Sequence, residues 1–419
     1  MKNFTLIACA LLVSYSAIFG QLDGKYLPPE NKLLLIIGQD LGAIGGFDSP
    51  NNNGYYENVE VIPGGVTSYT SISNLGGLYT LDNWGSGDVC GSCILNNTIY
   101  DNSIIAIGLW MVDILDEIIA GNYDENITQL GEWIELANRP VYLRIGYEFN
   151  QFYSDVPFST YVQAYKHIVD VLHSNLVLNY ATVWQSNGYG TKNELLQWYP
   201  GNEYVDWLGY SHFDGTGTGI IEIAREKNKP VLICEATPRG HDLETEDGET
   251  VWNNWFQPLF NHIGSNSDVI KGLAYINVDW DSQPMWSGQG WGDSRVEVNA
   301  YILDKWLSEI TENKWLNGSP DLFTQLGYVP PSSVDQMEVN PQFELYYYND
   351  EIHFYPENLF QSYGPVDLTI IDAAGRELIR EKKDFASNSW PIKLEPGYYI
   401  VVLRFHDQWL STPFFVNPF

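Results

Sequence analysis

Positive charge is scarce in this chain. Its 419 residues hold 21 Lys and Arg against 53 Asp and Glu, a formal net charge of −32. Such a surface excludes nucleic acid and anionic membranes as partners, and makes a strongly anionic polymer an uncomfortable substrate. Cysteine is scarce as well. Of four residues, Cys9 lies in the N-terminal leader, Cys90 and Cys93 make one Cys-Gly-Ser-Cys loop, and Cys234 stands alone. A single Cys-x-x-Cys supplies two ligands where a structural zinc takes four, so a local disulfide is expected in its place. The sequence holds no Cys/His cluster, no Gly-x-Ser-x-Gly elbow and no phosphate loop. No metal and no cofactor is therefore expected. No apolar run beyond residue 20 is long enough to span a bilayer, so membrane insertion is not expected.

The first twenty residues do carry an apolar run, Phe4–Val13, behind Met-Lys-Asn and ahead of small residues up to Gly20. That is the layout of a secretory signal peptide. A secreted or cell-surface monomer is expected. Aromatic residues are plentiful, with 15 Trp and 28 Tyr. Several fall at strand ends and in loops, where flat rings can stack on sugar faces.

Seven apolar stretches and one weaker one, 64–72, alternate with helical ones: 32–38, 64–72, 104–111, 141–148, 176–185, 205–213, 229–237 and 272–280. Continuous apolar runs of this length suit parallel strands buried on both faces. Stretches 126–137, 158–173, 219–227, 251–263 and 295–311 repeat apolar residues at the helical period. An open doubly wound sheet is the alternative, but no Gly-x-Gly-x-x-Gly follows the first strand. The count of eight points to an α/β fold, a (β/α)8 TIM barrel. From residue 343 onward short strands and turn signals dominate, at Asn349-Asp350, Ala374-Gly375 and Pro396-Gly397. They predict a small all-β sandwich. The expected division is a signal peptide at 1–20, a barrel at 21–316, a linker at 317–340 and the sandwich at 341–419.

In a TIM barrel the functional groups stand at the carboxyl ends of the strands. Glu148 follows the fourth expected strand and Glu235 ends the seventh. Hydrolysis of glycosides with retention needs two carboxyl groups facing each other, roughly 5–5.5 Å apart. In that chemistry Glu148 would be the general acid/base and Glu235 the nucleophile. Arg144, four residues before Glu148, would point inward and pair with Glu235, or else with Asp40. Tyr210 and His212 share one face of the sixth strand; the Tyr hydroxyl would donate to Glu235, and His212 would hold a sugar hydroxyl or else be a satisfied core histidine. Trp280 ends the eighth strand, as a platform for the sugar being cleaved or else as core. Trp184 and Gln185 on the fifth strand, and Trp286 and Trp291 after the eighth, are weaker candidates. Cys234 is expected to face away from the Glu235 carboxylate and pack against a helix. Asp293 is expected to cap the closing helix.

The run Arg144-Ile-Gly-Tyr-Glu-Phe-Asn150 resembles the glycoside hydrolase family 26 pattern Arg-Pro-x-His-Glu-x-Asn. Val231-Leu-Ile-Cys-Glu-Ala236 is similar to that family's nucleophile strand, and Tyr204-Val-Asp-Trp-Leu-Gly209 to its sixth. The resemblance covers about residues 32–313. It implies a retaining enzyme of the TIM-barrel clan, with acid/base and nucleophile on strands 4 and 7, cleaving a β-linked polysaccharide. The substrate it implies is first β-mannan; β-1,3-xylan, a β-glucan or a marine galactan are alternatives. A polysaccharide-binding barrel without activity is the alternative from another class. The resemblance also implies sugar contacts from Asn150 and from Tyr147, which stands where the family has His. The stretches 368–378 and 395–402 resemble the carboxyl-terminal sorting domain of type IX secretion. That likeness implies a secretion machinery as partner; a carbohydrate-binding module is the alternative.

Overall fold

The computed structural model describes residues 22–47, 54–175 and 177–328, and in the C-terminal region 344–348, 351–355, 365–372, 376–384, 389–395, 397–405 and 408–416. The expected signal peptide, Cys9, the second half of the expected linker (329–340), and the turns at 349–350 and 374–375 lie outside the described residues, as does Pro396. The chain forms two compact units. One comprises 1–116, 140–165 and 180–327, and the other 117–139, 166–179 and 328–419.

The first unit is built on a closed parallel sheet of eight principal strands: β1 Leu33–Gly38, β2 Gly65–Ser71, β3 Ile104–Trp110, β4 Val141–Ile145, β5 Tyr180–Ser186, β6 Trp207–His212, β7 Val231–Ala236 and β8 Ile270–Ile276. Each pairs with the next in order, and β8 pairs with β1, which closes the ring. This is the expected TIM barrel. Nearly every strand residue is buried, since one face looks to the axis and the other to the outer layer. The axial face is identified by a cluster of mutually packed side chains two residues apart along the strands: Leu34 and Ile36, Ile104 and Ala106, Ala181 and Val183, Leu232 and Cys234. Trp207 and Tyr142 join the same cluster.

The barrel's packing runs past residue 316. Trp315–Leu316 pairs with β1, and the helix Leu322–Gln325 adds Leu322, followed by Leu326, to the axial cluster. The closing helix spans Ala300–Ile310 and is capped by Asn299, whose side chain accepts from the backbone N–H of Tyr301 and Ile302. Asp293, expected as that cap, pairs instead with Arg295 at 2.5 Å.

The C-terminal strands form two antiparallel sheets. One orders Glu344–Tyr348, Glu351–Tyr355 and Ser389–Pro391; the other orders Glu377–Asp384, Pro365–Asp372, Gly397–Phe405 and Gln408–Val416. Ile352 and Trp390 of the first sheet share a core with Leu368, Ile370, Val401 and Leu403 of the second. Two sheets facing one core make the expected small all-β fold. The strand Glu377–Asp384 escapes the sequence reading because its Glu-Leu-Ile-Arg-Glu-Lys-Lys-Asp is charged. Such composition suits the sheet edge it occupies.

Candidate active site

The carboxyl ends of the barrel strands open on a cavity of about 800 Å3 whose walls include Glu148, Glu235, Tyr147, Trp110 and Trp280. Three features of the backbone bring its charged groups together.

The first is an extra residue in β7. Along β6 and β7, Gly209 pairs with Leu232 and Tyr210 with Ile233, but Ser211 pairs with Glu235. In the pairing with β8 the register also shifts here: Leu273 pairs with Ile233 and Tyr275 with Ala236, so Cys234 and Glu235 together face one residue of β8. Cys234 is thus the added residue of a bulge. Regular alternation would turn either Cys234 or Glu235 outward. With the bulge, Cys234 joins the axial cluster and Glu235 also reaches the cavity. The expectation that Cys234 packs against a helix is corrected accordingly.

The second is a row of three residues in register. Tyr69 on β2 pairs with Gly108 on β3, and Gly108 with Arg144 on β4. A Cβ on Gly108 would lie 2.5 Å from a Tyr69 ring carbon and 2.9 Å from Arg144 Nη2. The glycine therefore opens the space that the two larger side chains share. Arg144, fully buried, donates through Nη1 to Glu235 Oε1, and to Gln185 Oε1 at 3.1 Å. Its guanidinium lies 4.8 Å from the Tyr69 ring centroid and 5.3 Å from that of Tyr147. Glu235 Oε1 also accepts from the Tyr69 hydroxyl at 3.1 Å and from Gln185 Nε2 at 3.4 Å. Burial holds the Tyr69 phenol far above its ordinary pKa, so it stays a donor. A buried carboxylate with an arginine and two further donors is well compensated.

The third is the turn after β4. The strand ends at Ile145, and both Gly146 (φ 54°) and Glu148 (φ 51°) take left-handed backbone. A Cβ at Gly146 would meet Met111 Cε at 2.3 Å. Glu148 adopts this conformation with a side chain, at a cost of about 1–3 kcal/mol. It stands just before the short helix Phe149–Phe152, and its side chain lines the cavity. Burial, and then the negative charge of Glu235, push its carboxyl up to about 8; a hydrogen bond from Ser211 and the charge of Arg144 oppose the rise. At neutral pH the cavity thus holds a protonated carboxyl beside an ion-paired carboxylate. A proton donor and an anionic nucleophile are what glycosidic cleavage by double displacement requires.

The cavity brings together Tyr147, Glu148, Glu235 and Trp280 among the expected site residues, with Arg144 beneath them. Arg144 pairs with Glu235 rather than Asp40. Asp40 instead accepts from Gly42 and Ala43 backbone N–H and from Gln283. Tyr147 packs its ring against Tyr69 and Trp110. Trp280 donates to Thr237 Oγ1 at 3.1 Å and packs against Trp286 and Trp291, both of which also line the cavity. Asn150 sits behind the wall: it donates to Asn187 Oδ1 at 2.7 Å and to the Tyr189 carbonyl at 3.0 Å.

Three expected residues fall elsewhere. Trp184 is fully buried and stacks on Phe149 at 4.4 Å. Tyr210 bonds His262 at 3.0 Å, and His212 packs against His262 and Trp255; burial lowers the His212 pKa to about 4. All three alternate with axial residues, Trp184 with Val183 and Gln185, Tyr210 and His212 with Gly209 and Ser211. A strand apolar on both faces does not reveal in its sequence which set looks inward. The donor expected from Tyr210 comes instead from Tyr69, four strands away around the ring. Its signal was an aromatic residue near the end of a weak strand. Ser211 and Gln185 complete the hydrogen bonding: Gln185 Nε2 donates to Ser211 Oγ at 3.0 Å.

No family model matches the chain. A β-1,3-xylanase of Alcaligenes sp. is 32% identical over 356 residues, covering 78% of this chain and 72% of that protein. The β-1,3-xylanase TXYA of Vibrio sp. is 32% identical over 357 residues, covering 77% and 73%. Among solved structures, GH26C from Muricauda sp. is similar with a TM-score of 0.51 at 15% identity, covering 70% of this chain and 90% of that one. A GH26 β-mannanase from Bacteroides ovatus has a TM-score of 0.51 at 13% identity, covering 70% and 93%. At such identities the structural likeness concerns the fold. With the sequence relatives beside it, the chain is a glycoside hydrolase, acting on the O-glycosyl bonds of a β-linked glycan. The chain belongs to the family of the two β-1,3-xylanases.

Proposed function

We propose that this hydrolase cleaves β-1,3-linked xylan within the chain and with retained configuration. Glu235 attacks the anomeric carbon while Glu148 gives its proton to the leaving oxygen, and a glycosyl-enzyme ester forms. Glu148, now a carboxylate, takes a proton from water, which releases the sugar and restores both groups. Arg144 and Tyr69 hold Glu235 in place, and Tyr147 and Trp280 flank the sugar.

The substrate rests on the two relatives, whose likeness runs over three-quarters of the chain. The mannanase likeness is one of fold, so β-1,3-xylan takes precedence over the β-mannan first expected. The residue roles rest on one observation: two buried carboxyl groups in one cavity, one driven neutral and one paired with arginine. Retention is supported by the family 26 resemblance around Glu148. Export through the leader at 1–20 fits a polymeric substrate, and the C-terminal unit would serve as a sorting or accessory domain.

The test is a panel of β-1,3-xylan, β-1,4-xylan, β-mannan, mixed-linkage glucan and agar, assayed for new reducing ends. The first product's anomeric configuration is then read by NMR. Cleavage of β-1,3-xylan with a β-configured first product supports the proposal. Preference for another polymer overturns the substrate, and an α-configured first product overturns the mechanism.

A further inference from the structure

Two aromatic side chains on the cavity wall are strongly exposed: Trp84 at 41% and Tyr189 at 54%. Among the described residues neither has another ring packed against it, whereas Trp280, Trp286 and Trp291 pack on one another at 4.8–5.4 Å.

Both are carried on firmly held backbone. Trp84 lies in the hairpin that pairs Asp82 with Val89 and Asn83 with Asp88. The Gly85 carbonyl accepts from Met285 N–H at 2.8 Å, and the Ser86 carbonyl from Gln39 Nε2 at 3.4 Å. Gly87, at φ 97°, packs so closely on Asp40 that a Cβ would lie 2.4 Å from its carboxyl carbon. The hairpin is thereby fixed above the end of β1. Tyr189 follows β5. Its N–H donates to Asn187 Oδ1 at 3.1 Å and its carbonyl accepts from Asn150 Nδ2 at 3.0 Å.

In a closed ring of eight strands β1 and β5 stand four steps apart, diametrically opposite. The line joining their ends leaves β4, with Glu148, on one side and β7, with Glu235, on the other. A glycan stretched between the two exposed rings would run between the two carboxyl groups. We infer that Trp84 and Tyr189 are the outer sugar platforms at opposite ends of one extended cleft, each stacking on a pyranose face of the same bound chain. They would set the length of glycan the enzyme grips. The inference rests on the proposed role of the two carboxyl groups and adds the direction and extent of the bound polymer.

The experiment measures kcat/KM on β-1,3-linked xylooligosaccharides of increasing length, for the full chain and for Trp84→Ala, Tyr189→Ala and the double variant. The unaltered enzyme gains with each added sugar up to a plateau. Each single variant should reach its plateau at least one sugar earlier, and the double variant at least two. On polymer each should lose roughly two- to tenfold in kcat/KM, the scale of one aromatic contact. Trp84→Phe should move the plateau back toward its original length. A merely structural role would lower kcat/KM in proportion at every length. A plateau left in place in all variants therefore overturns the inference. If the unaltered enzyme cleaves no oligosaccharide of the series, the functional reading itself falls, and this inference with it.

Discussion

Arg144 offers the most demanding test of how the site is held. Replacing it with Met keeps the length of the side chain and removes the guanidinium from a fully buried position. Glu235, only 7% exposed, would then keep Tyr69 and Gln185 as donors but lose its opposite charge. Removing one partner of a buried pair costs about 3–5 kcal/mol, because the stranded charge is largely shut off from water. For a barrel of this size that is a fall in Tm of roughly 5–8 °C. The control is Glu235→Gln in the Arg144→Met background. It removes the stranded charge, so the double variant should be more stable than the two single losses added together, by at least about 1 kcal/mol. Urea and thermal unfolding of the four proteins, followed by near-UV circular dichroism, give the cycle. A loss below about 1 kcal/mol for Arg144→Met, or strict additivity, would refute the reasoning.

Further predictions concern the acid and the row beside it. Glu148→Gln should lower kcat by about 10²–10⁴ on polysaccharide, and by far less on an aryl glycoside whose leaving group needs no proton; an equal loss on both substrates contradicts the acid role. Activity should fall as pH rises past about 8, where Glu148 loses its proton, and a pH–rate profile reads this directly. The same shift acts on stability. The unfolded carboxyl ionises near 4.5 while the folded one keeps its proton to about 8, so stability from this group is full below 4.5 and is lost as pH rises through that window. Unfolding free energies between pH 5 and 8 should decline less steeply in Glu148→Gln than in the unaltered protein. Gly108→Ala should displace Tyr69 or Arg144, given a Cβ contact of 2.5 Å, and lower kcat at least tenfold, by an order-of-magnitude argument from misplaced catalytic groups; unchanged kinetics would mean the row gives way easily.

The barrel was legible in the sequence because eight runs of strand length leave few other folds, and because most of them are continuously apolar. The positions of Glu148 and Glu235 were legible for a related reason: a charge at the end of an apolar strand marks the strand's mouth. What the sequence hides is which way a strand faces. The inward neighbours of Trp184, Tyr210 and His212 are the mixed set Val183, Gln185, Gly209 and Ser211, and both faces of these strands are largely buried, so apolar character does not mark which set looks to the axis. The bulge at Cys234 is hidden too, since an added residue leaves no mark until its partners are known. Tyr69 went unrecognised as the donor to Glu235 because its strand is the least apolar of the eight, with Thr67, Ser68 and Thr70 beside it. The charged edge strand of the C-terminal unit was missed on composition alone.

In the proposed cycle Glu235 becomes covalently bonded to the sugar. An activated 2-deoxy-2-fluoro glycoside of a β-1,3-linked xylobiose would slow release of that ester enough to map it by peptide mass spectrometry. One glycosyl group per chain is expected, carried on Glu235 and absent from Glu235→Gln. Labelling of a different residue, or label that persists in Glu235→Gln, would contradict it.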